Sequence, residues 1–201
     1  VYYTYSIMVR NRKKLINKLS KKGIETKIQN PFIISDHPGL KNNFNGTLNL
    51  LEVLRLSNFN CVSIVITSDK SYRNFEIKRG YVENDILGGD DPYSASKGAA
   101  ELAIQSYVKS FFNENNKILI ASARAGNVIG GGDWSNDRII PDCVKSWSKN
   151  KIPTIRNPNS TRPWQHVLEA TMGYIILAAN LKQNKNLNGE AFNFGPNTKK
   201  N

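Results

Sequence analysis

Residues 61–68 read CVSIVITS, an uncharged, β-branched run that ends in hydroxyl side chains. Such a run fits a strand covered on both faces, as in a parallel sheet, because a strand with one wet face alternates polar and apolar residues. KILIASA at 117–123 is a second run of the same kind, and it leads into a glycine-rich turn at 126–132. Between the two, 92–112 opens on Pro92 and carries Ala95, Ala99, Leu102, Ala103 and Tyr107, a spacing that predicts a long helix. Upstream, Leu48, Leu51 and Leu54 give 42–57 the same period, with Gly46 expected to permit close packing against a neighbour. Downstream, 137–149, 152–156, 167–181 and 191–194 read as helix, strand, helix and strand. Strands alternating with helices predict an α/β unit with a doubly wound, mainly parallel sheet.

The chain has 201 residues, 39% hydrophobic and 22% charged, an ordinary composition for a globular unit. It has no apolar run long enough to span a membrane and no signal-peptide order at its amino end, so a cytoplasmic setting is expected. Cys61 and Cys143 lack metal-ligand spacing and read as buried thiols, and no metal site is expected. The net charge of +12 is lopsided: residues 1–30 hold eight cations against Glu25, so that segment alone carries +7. Within it, Leu15, Ile16 and Leu19 predict a short amphipathic helix over 12–22, and 29–39 reads as a loop. The other 171 residues carry only +5, and basic and aromatic residues do not interleave as in nucleic-acid modules. Neither nucleic acid nor membrane is expected as a partner.

Chemistry concentrates at two places. Tyr93 and Lys97, in YSASK at the head of the long helix, are four apart and share a face. An ammonium beside a phenol favours the phenolate, so Lys97 is expected to lower the pKa of Tyr93 and make it a usable base. Alone this spacing is weak, because Tyr and Lys are common here. The first strand, however, ends in Thr67, Ser68, Asp69 and Lys70, at the carboxyl edge where α/β sheets place ligands. A hydroxyl, an acid and an amine emerge there together.

The blocks TSDKSY, GGDDPYSASKGAAEL, RAGNVIGGGDW and RPWQHVLE, in this order, resemble the CDP-glucose 4,6-dehydratases of the extended short-chain dehydrogenase/reductase (NAD-dependent epimerase/dehydratase) family. The resemblance runs from about 42 to 197, and Lys70 with the GGGDW block favours the CDP-glucose branch over dTDP-glucose dehydratases and epimerases. It implies NAD as cofactor, CDP-glucose as substrate, and a CDP-4-keto-6-deoxy sugar plus water as products. Tyr93 would be the base on the sugar 4-hydroxyl, with Ser68 on the same oxygen and Lys97 on the nicotinamide ribose. Lys70 would be the base at C5, and Asp69 the acid for the departing C6 hydroxyl. Asn127 and Arg162 resemble the family's diphosphate ligands, with the glycines around Asn127 allowing backbone to approach phosphate. Arg138, Trp134 and His166 are candidate nucleotide contacts, and for His166 a helix cap is an equal reading. Asn43 resembles an asparagine beside the catalytic strand.

The family's opening βαβ unit, with its GxxGxxG turn for the cofactor pyrophosphate, is not found here, which makes the expected fold a partial Rossmann-like sheet. The expected division is a basic segment at 1–30, a partial dinucleotide-binding core at 31–150, and at 151–201 part of the substrate-binding portion with the last core elements. A homodimer is expected from the resemblance. The competing expectations are another nucleotide-sugar dehydratase or epimerase, and a non-catalytic vestige whose basic arm binds an acidic partner.

Overall fold

The computed structural model describes residues 6–9, 21, 40–113 and 117–196. The amphipathic stretch 12–22, apart from Lys21, and the loop expected at 29–39 lie outside them. The elements are strand β1 (Ser6–Val9), helix α1 (Leu40–Arg55), β2 (Cys61–Ile66), α2 (Pro92–Tyr107), β3 (Ile118–Ala125), β4 (Val128–Ile129), α3 (Ile139–Trp147), β5 (Gln165–His166), α4 (Val167–Gln183) and β6 (Ala191–Phe194). The main sheet has the order β1-β2-β3-β6. β2, β3 and β6 run parallel, and β1 adds antiparallel to the edge of β2.

The apolar character of β2 and of the first residues of β3 has the expected cause: helices cover both faces. On one side α1 and α2 pack Leu50, Leu51, Leu54, Ile104 and Val108 against Cys61, Val65, Ile118 and Ile120. On the other, α4 packs Ala170, Tyr174, Leu177 and Leu181 against Ile64, Leu119, Ala121 and Ala123. All eight residues of β3 are buried. Each fully buried Leu or Ile contributes about 1.5–3 kcal/mol, so these two clusters are the main favourable term in folding. Gly173 of α4 lets the Phe194 ring approach, since a Cβ there would lie 2.5 Å from it. Both cysteines are buried, and burial pushes the Cys61 thiol up to about 12.

The structure departs from expectation at several points. Residues 152–156 form no strand: Ile152 is 94% exposed, and Pro153 removes a donor. Close packing at Gly46 is not used, because a Cβ there meets nothing within 4 Å. α2 ends at Tyr107 and continues as a π turn over Val108–Phe112. Ala95 and Leu102 of α2 face outward, so its apolar side is wider than its buried one. Two short segments not foreseen, β4 and β5, pair in parallel as a second sheet, Val128 opposite Gln165 and Ile129 opposite His166.

Candidate active site

β2 delivers Thr67 and Ser68 to the carboxyl edge of the sheet, and a single 3-10 turn, Asp69–Ser71, follows. Ser68 caps that turn: its Oγ accepts from the Lys70 N–H at 3.2 Å and donates to Asp69 Oδ1 at 2.9 Å. α2 starts next to it. Its N-cap is Asp91, whose carboxylate accepts from the backbone N–H groups of Tyr93 (2.9 Å) and Ser94 (3.0 Å) and from Ser94 Oγ (2.6 Å). With Pro92 in the first turn, the helix start is fixed in place, and Tyr93 with it. The Lys70 ammonium acts electrostatically on Asp91, although the Ser94 hydrogen bonds are the larger cause of that carboxyl's lowered pKa. Two glycines allow the close approach of turn and helix. A Cβ at Gly98 would sit 2.9 Å from Gly88 N, and one at Gly89 would overlap Ser94 Cβ at 2.1 Å.

The electrostatics of the pair differ from the simple expectation. Tyr93 is half-buried, and its pKa is raised: burial is the largest cause, hydrogen bonding to Ser68 pulls it down, Asp69 pushes it up and Arg138 pulls it down. Lys97 is itself almost fully buried, with Nζ 5.6 Å from the Tyr93 ring centroid, on the ring face. Burial lowers its pKa to about 7, against the opposing charge of Glu101. Desolvation outweighs the pairing that local spacing predicts.

A buried polar network, unforeseen in the sequence reading, stands behind these residues. Glu101, one helical turn beyond Lys97, accepts from Thr67 Oγ1 and from Arg124 of β3, whose Nε and Nη2 lie 3.0 and 3.2 Å from its two oxygens. Both partners of that ion pair are at most 1% exposed. Arg124 Nη1 also donates to Tyr72 Oη and to the Glu83 carbonyl, each at 2.8 Å, and Tyr72 Oη donates to Asn193 Oδ1 of β6 at 2.7 Å.

Beyond the carboxyl ends of the strands lies a cleft of about 710 Å³, lined by Asn127, Trp134, Arg138 and Arg162 among others. The glycine turn builds it. Gly126 and Gly130 face protein, since Cβ atoms there would meet Pro163 at 2.4 Å and Val167 at 2.6 Å, whereas Gly131 and Gly132 face open space. The first two thus let the 126–130 and 162–167 segments pair through β4 and β5, and the Asn127 carbonyl accepts from the Gln165 N–H. Only the last two have room for backbone to approach a ligand. Arg138 precedes α3; its Nε is buried without a hydrogen bond and forms a long ion pair with Asp133 Oδ2 at 3.7 Å. Arg162 is exposed, donating to the Thr161 carbonyl. His166 does not line the cleft: Nδ1 accepts from the Leu168 N–H, and Glu169 accepts from the His166 N–H, a reciprocal cap on α4. Asn43 lies on α1, and its side chain is outside the described residues.

The family model described as "NAD dependent epimerase/dehydratase family" matches residues 34–195. The chain belongs to this family. A relative in the epimerase/dehydratase family, CDP-glucose 4,6-dehydratase of Salmonella typhimurium, is 50% identical over 159 residues, covering 77% of this chain and 44% of the relative. The dTDP-D-glucose 4,6-dehydratase of Dictyostelium discoideum is 31% identical over 147 residues, covering 68% and 32%. Among solved structures, UDP-glucuronic acid 4-epimerase from Bacillus cereus, in complex with UDP-glucuronic acid and NAD, superposes with a TM-score of 0.66 at 21% identity. It covers 92% of this chain and 57% of that one. The dTDP-glucose 4,6-dehydratase from Bacillus anthracis in complex with NAD gives 0.63 at 20% identity, covering 92% and 56%. These two establish the partial Rossmann fold of the epimerase/dehydratase family. The chain spans about half the length of these relatives, or less.

Proposed function

We propose that the chain carries the reaction centre of a cytoplasmic, homodimeric, NAD-dependent lyase that converts CDP-glucose to CDP-4-keto-6-deoxyglucose and water. The observation that carries this reading is the meeting of Ser68, Asp69 and Lys70 with Tyr93 and Lys97 at one end of the sheet, in a chain 50% identical to a CDP-glucose 4,6-dehydratase.

The donor set fits the nicotinamide end of the cofactor. A hydroxyl, a phenol and a buried amine face one another at the carboxyl edge, where a ribose diol can receive their hydrogen bonds. Among the described residues no GxxGxxG turn is present for the pyrophosphate. Bound NAD would supply the hydride acceptor, and then donor, for a transfer from sugar C4 to C6.

In this reading Lys97 and Ser68 hold the ribose and the reacting sugar oxygen, and Tyr93 takes the proton of the 4-hydroxyl. A phenol raised by burial yields its proton only where positive charge is near, and Arg138 acts in that direction. Once C4 is a ketone, the C5 hydrogen is acidic: Lys70 removes it, and Asp69 gives a proton to the C6 hydroxyl, which leaves as water. Asn127 and Arg138 with Arg162 hold the diphosphate in the cleft, with the planar guanidinium matched to phosphate oxygens, and Trp134 offers a face to the base.

The test is incubation of the chain with CDP-glucose and NAD, reading the base-induced ultraviolet absorbance of 4-keto products. Wild type is expected to form product and Tyr93→Phe to lose at least about a hundredfold in kcat. Undiminished turnover by Tyr93→Phe would sink the mechanism.

A further inference from the structure

We infer that Glu101 is a positioning residue that ties the two catalytic segments together and acts on Lys97 through its charge. The inference rests on the functional reading above, for which Ser68–Lys70 and Tyr93–Lys97 are the working groups. Glu101 is fully buried on α2, one turn beyond Lys97. It reaches the first segment through the Thr67 hydroxyl, immediately before Ser68. It reaches the far side of the same segment through Arg124 and Tyr72, immediately after the Asp69–Ser71 turn. One carboxylate therefore fixes both ends of the turn relative to the helix that bears Tyr93 and Lys97.

Stability alone does not account for such a group. Burying a carboxylate and a guanidinium costs desolvation that their attraction only partly offsets, and apolar replacements of equal volume are often as stable or more so. What the pair does provide is registry. Its hydrogen bonds are directional, span Thr67 to Arg124, and link β2, α2 and β3 at their catalytic ends. The charged groups acting on Tyr93 and Lys97 are Asp69 from the turn, Asp91 from the N-cap, Arg138 from the start of α3 and Glu101 from the next helical turn. Of these, Glu101 acts on Lys97 against its burial.

The experiment is nuclear magnetic resonance titration of Lys97 in the full chain labelled with carbon-13 at lysine Cε, without substrate. Glu101→Gln is expected to lower the Lys97 midpoint by about one pH unit, as loss of a close opposite charge does. Because this variant strands Arg124 in the core, Glu101→Gln with Arg124→Met is titrated beside it, and a fall is expected there too. Thr67→Val is expected to leave the Lys97 midpoint in place while cutting kcat about tenfold or more, with KM for CDP-glucose unchanged. A folded Glu101 variant, single or double, whose Lys97 titrates as in wild type overturns the inference. Failure of the functional reading shows itself separately, as no 4-keto product from wild type with the Lys97 shift intact.

Discussion

Lys97 is an amine with almost no contact with water, and the cost of that burial is set by pH. Its folded-state pKa of about 7 lies below the ordinary 10.5. Between those values the unfolded chain holds a proton that the folded chain lacks, so unfolding takes up a proton and stability rises with pH across this window. Below about 7 both states are protonated and the full penalty stands, roughly 5 kcal/mol by linkage. Lys97→Met removes the penalty while keeping much of the side chain's volume. Denaturant unfolding is therefore expected to find this variant more stable than wild type at pH 6, with the gap shrinking toward pH 10. A gap that stays constant between these pH values would show that burial does not govern Lys97. The sequence made the pair legible, since Tyr93 and Lys97 share a helix face, but not which effect wins between them. Pairing is a matter of spacing along one helix, whereas desolvation depends on β2, the turn and α3 arriving from elsewhere. The same holds for His166, whose cap is local and legible, and for Arg124, which is not. Its partners Glu101 and Tyr72 are 23 and 52 positions away along the chain.

At the scale of elements, what α2 requires is proximity to the turn that follows β2. Gly98 is where that proximity is tightest, with Gly88 backbone at 2.9 and 3.0 Å and the Ser71 carbonyl at 3.3 Å from an added Cβ. Backbone on that side cannot yield as a side-chain tip can. Gly98→Ala is therefore expected to push α2 off the turn, with a loss of about 1–3 kcal/mol in unfolding free energy. It should also lower kcat about tenfold to a hundredfold, because a displacement on the order of 1 Å separates Tyr93 from Ser68. Thermal unfolding and turnover measured together test this; normal kcat with lowered stability would place the strain away from the site. The strands β2 and β3 and the helices α1, α2 and α4 were readable because each buries a face against a neighbour and so carries its own periodicity. Residues 152–156 misled for the converse reason. Ile152, Thr154 and Ile155 are β-branched, as strand residues often are, yet among the described residues no strand pairs with the segment, and all three are exposed. β4 and β5 escaped notice because two residues are too few to show a period, and their pairing depends on Gly126 and Gly130 admitting Pro163 and Val167.

At the scale of the whole molecule the excess positive charge has two locations with different consequences. Residues 1–30 carry +7 of the +12, and such a segment attracts any polyanion, weakly and without geometry. Arg138 and Arg162 instead line one cleft, and the buried Arg138 Nε makes no hydrogen bond, standing 3.7 Å from Asp133 Oδ2 as a long ion pair. A phosphate oxygen within hydrogen-bond reach would satisfy that donor. CDP, lacking the sugar, is therefore expected to bind the chain without NAD. Arg138→Ala and Arg162→Ala should each weaken it about tenfold to a hundredfold, as loss of a charge-assisted hydrogen bond does. Replacing Lys13, Lys14 and Lys18 by Glu should change CDP affinity by less than about threefold at physiological salt when Arg138 and Arg162 hold the diphosphate, since attraction without directed hydrogen bonds is weakened by screening. Calorimetric titration of CDP against the four chains decides between the two locations. If the lysine variant loses the affinity and the arginine variants keep it, binding belongs to the basic segment, and the cleft is not the nucleotide site.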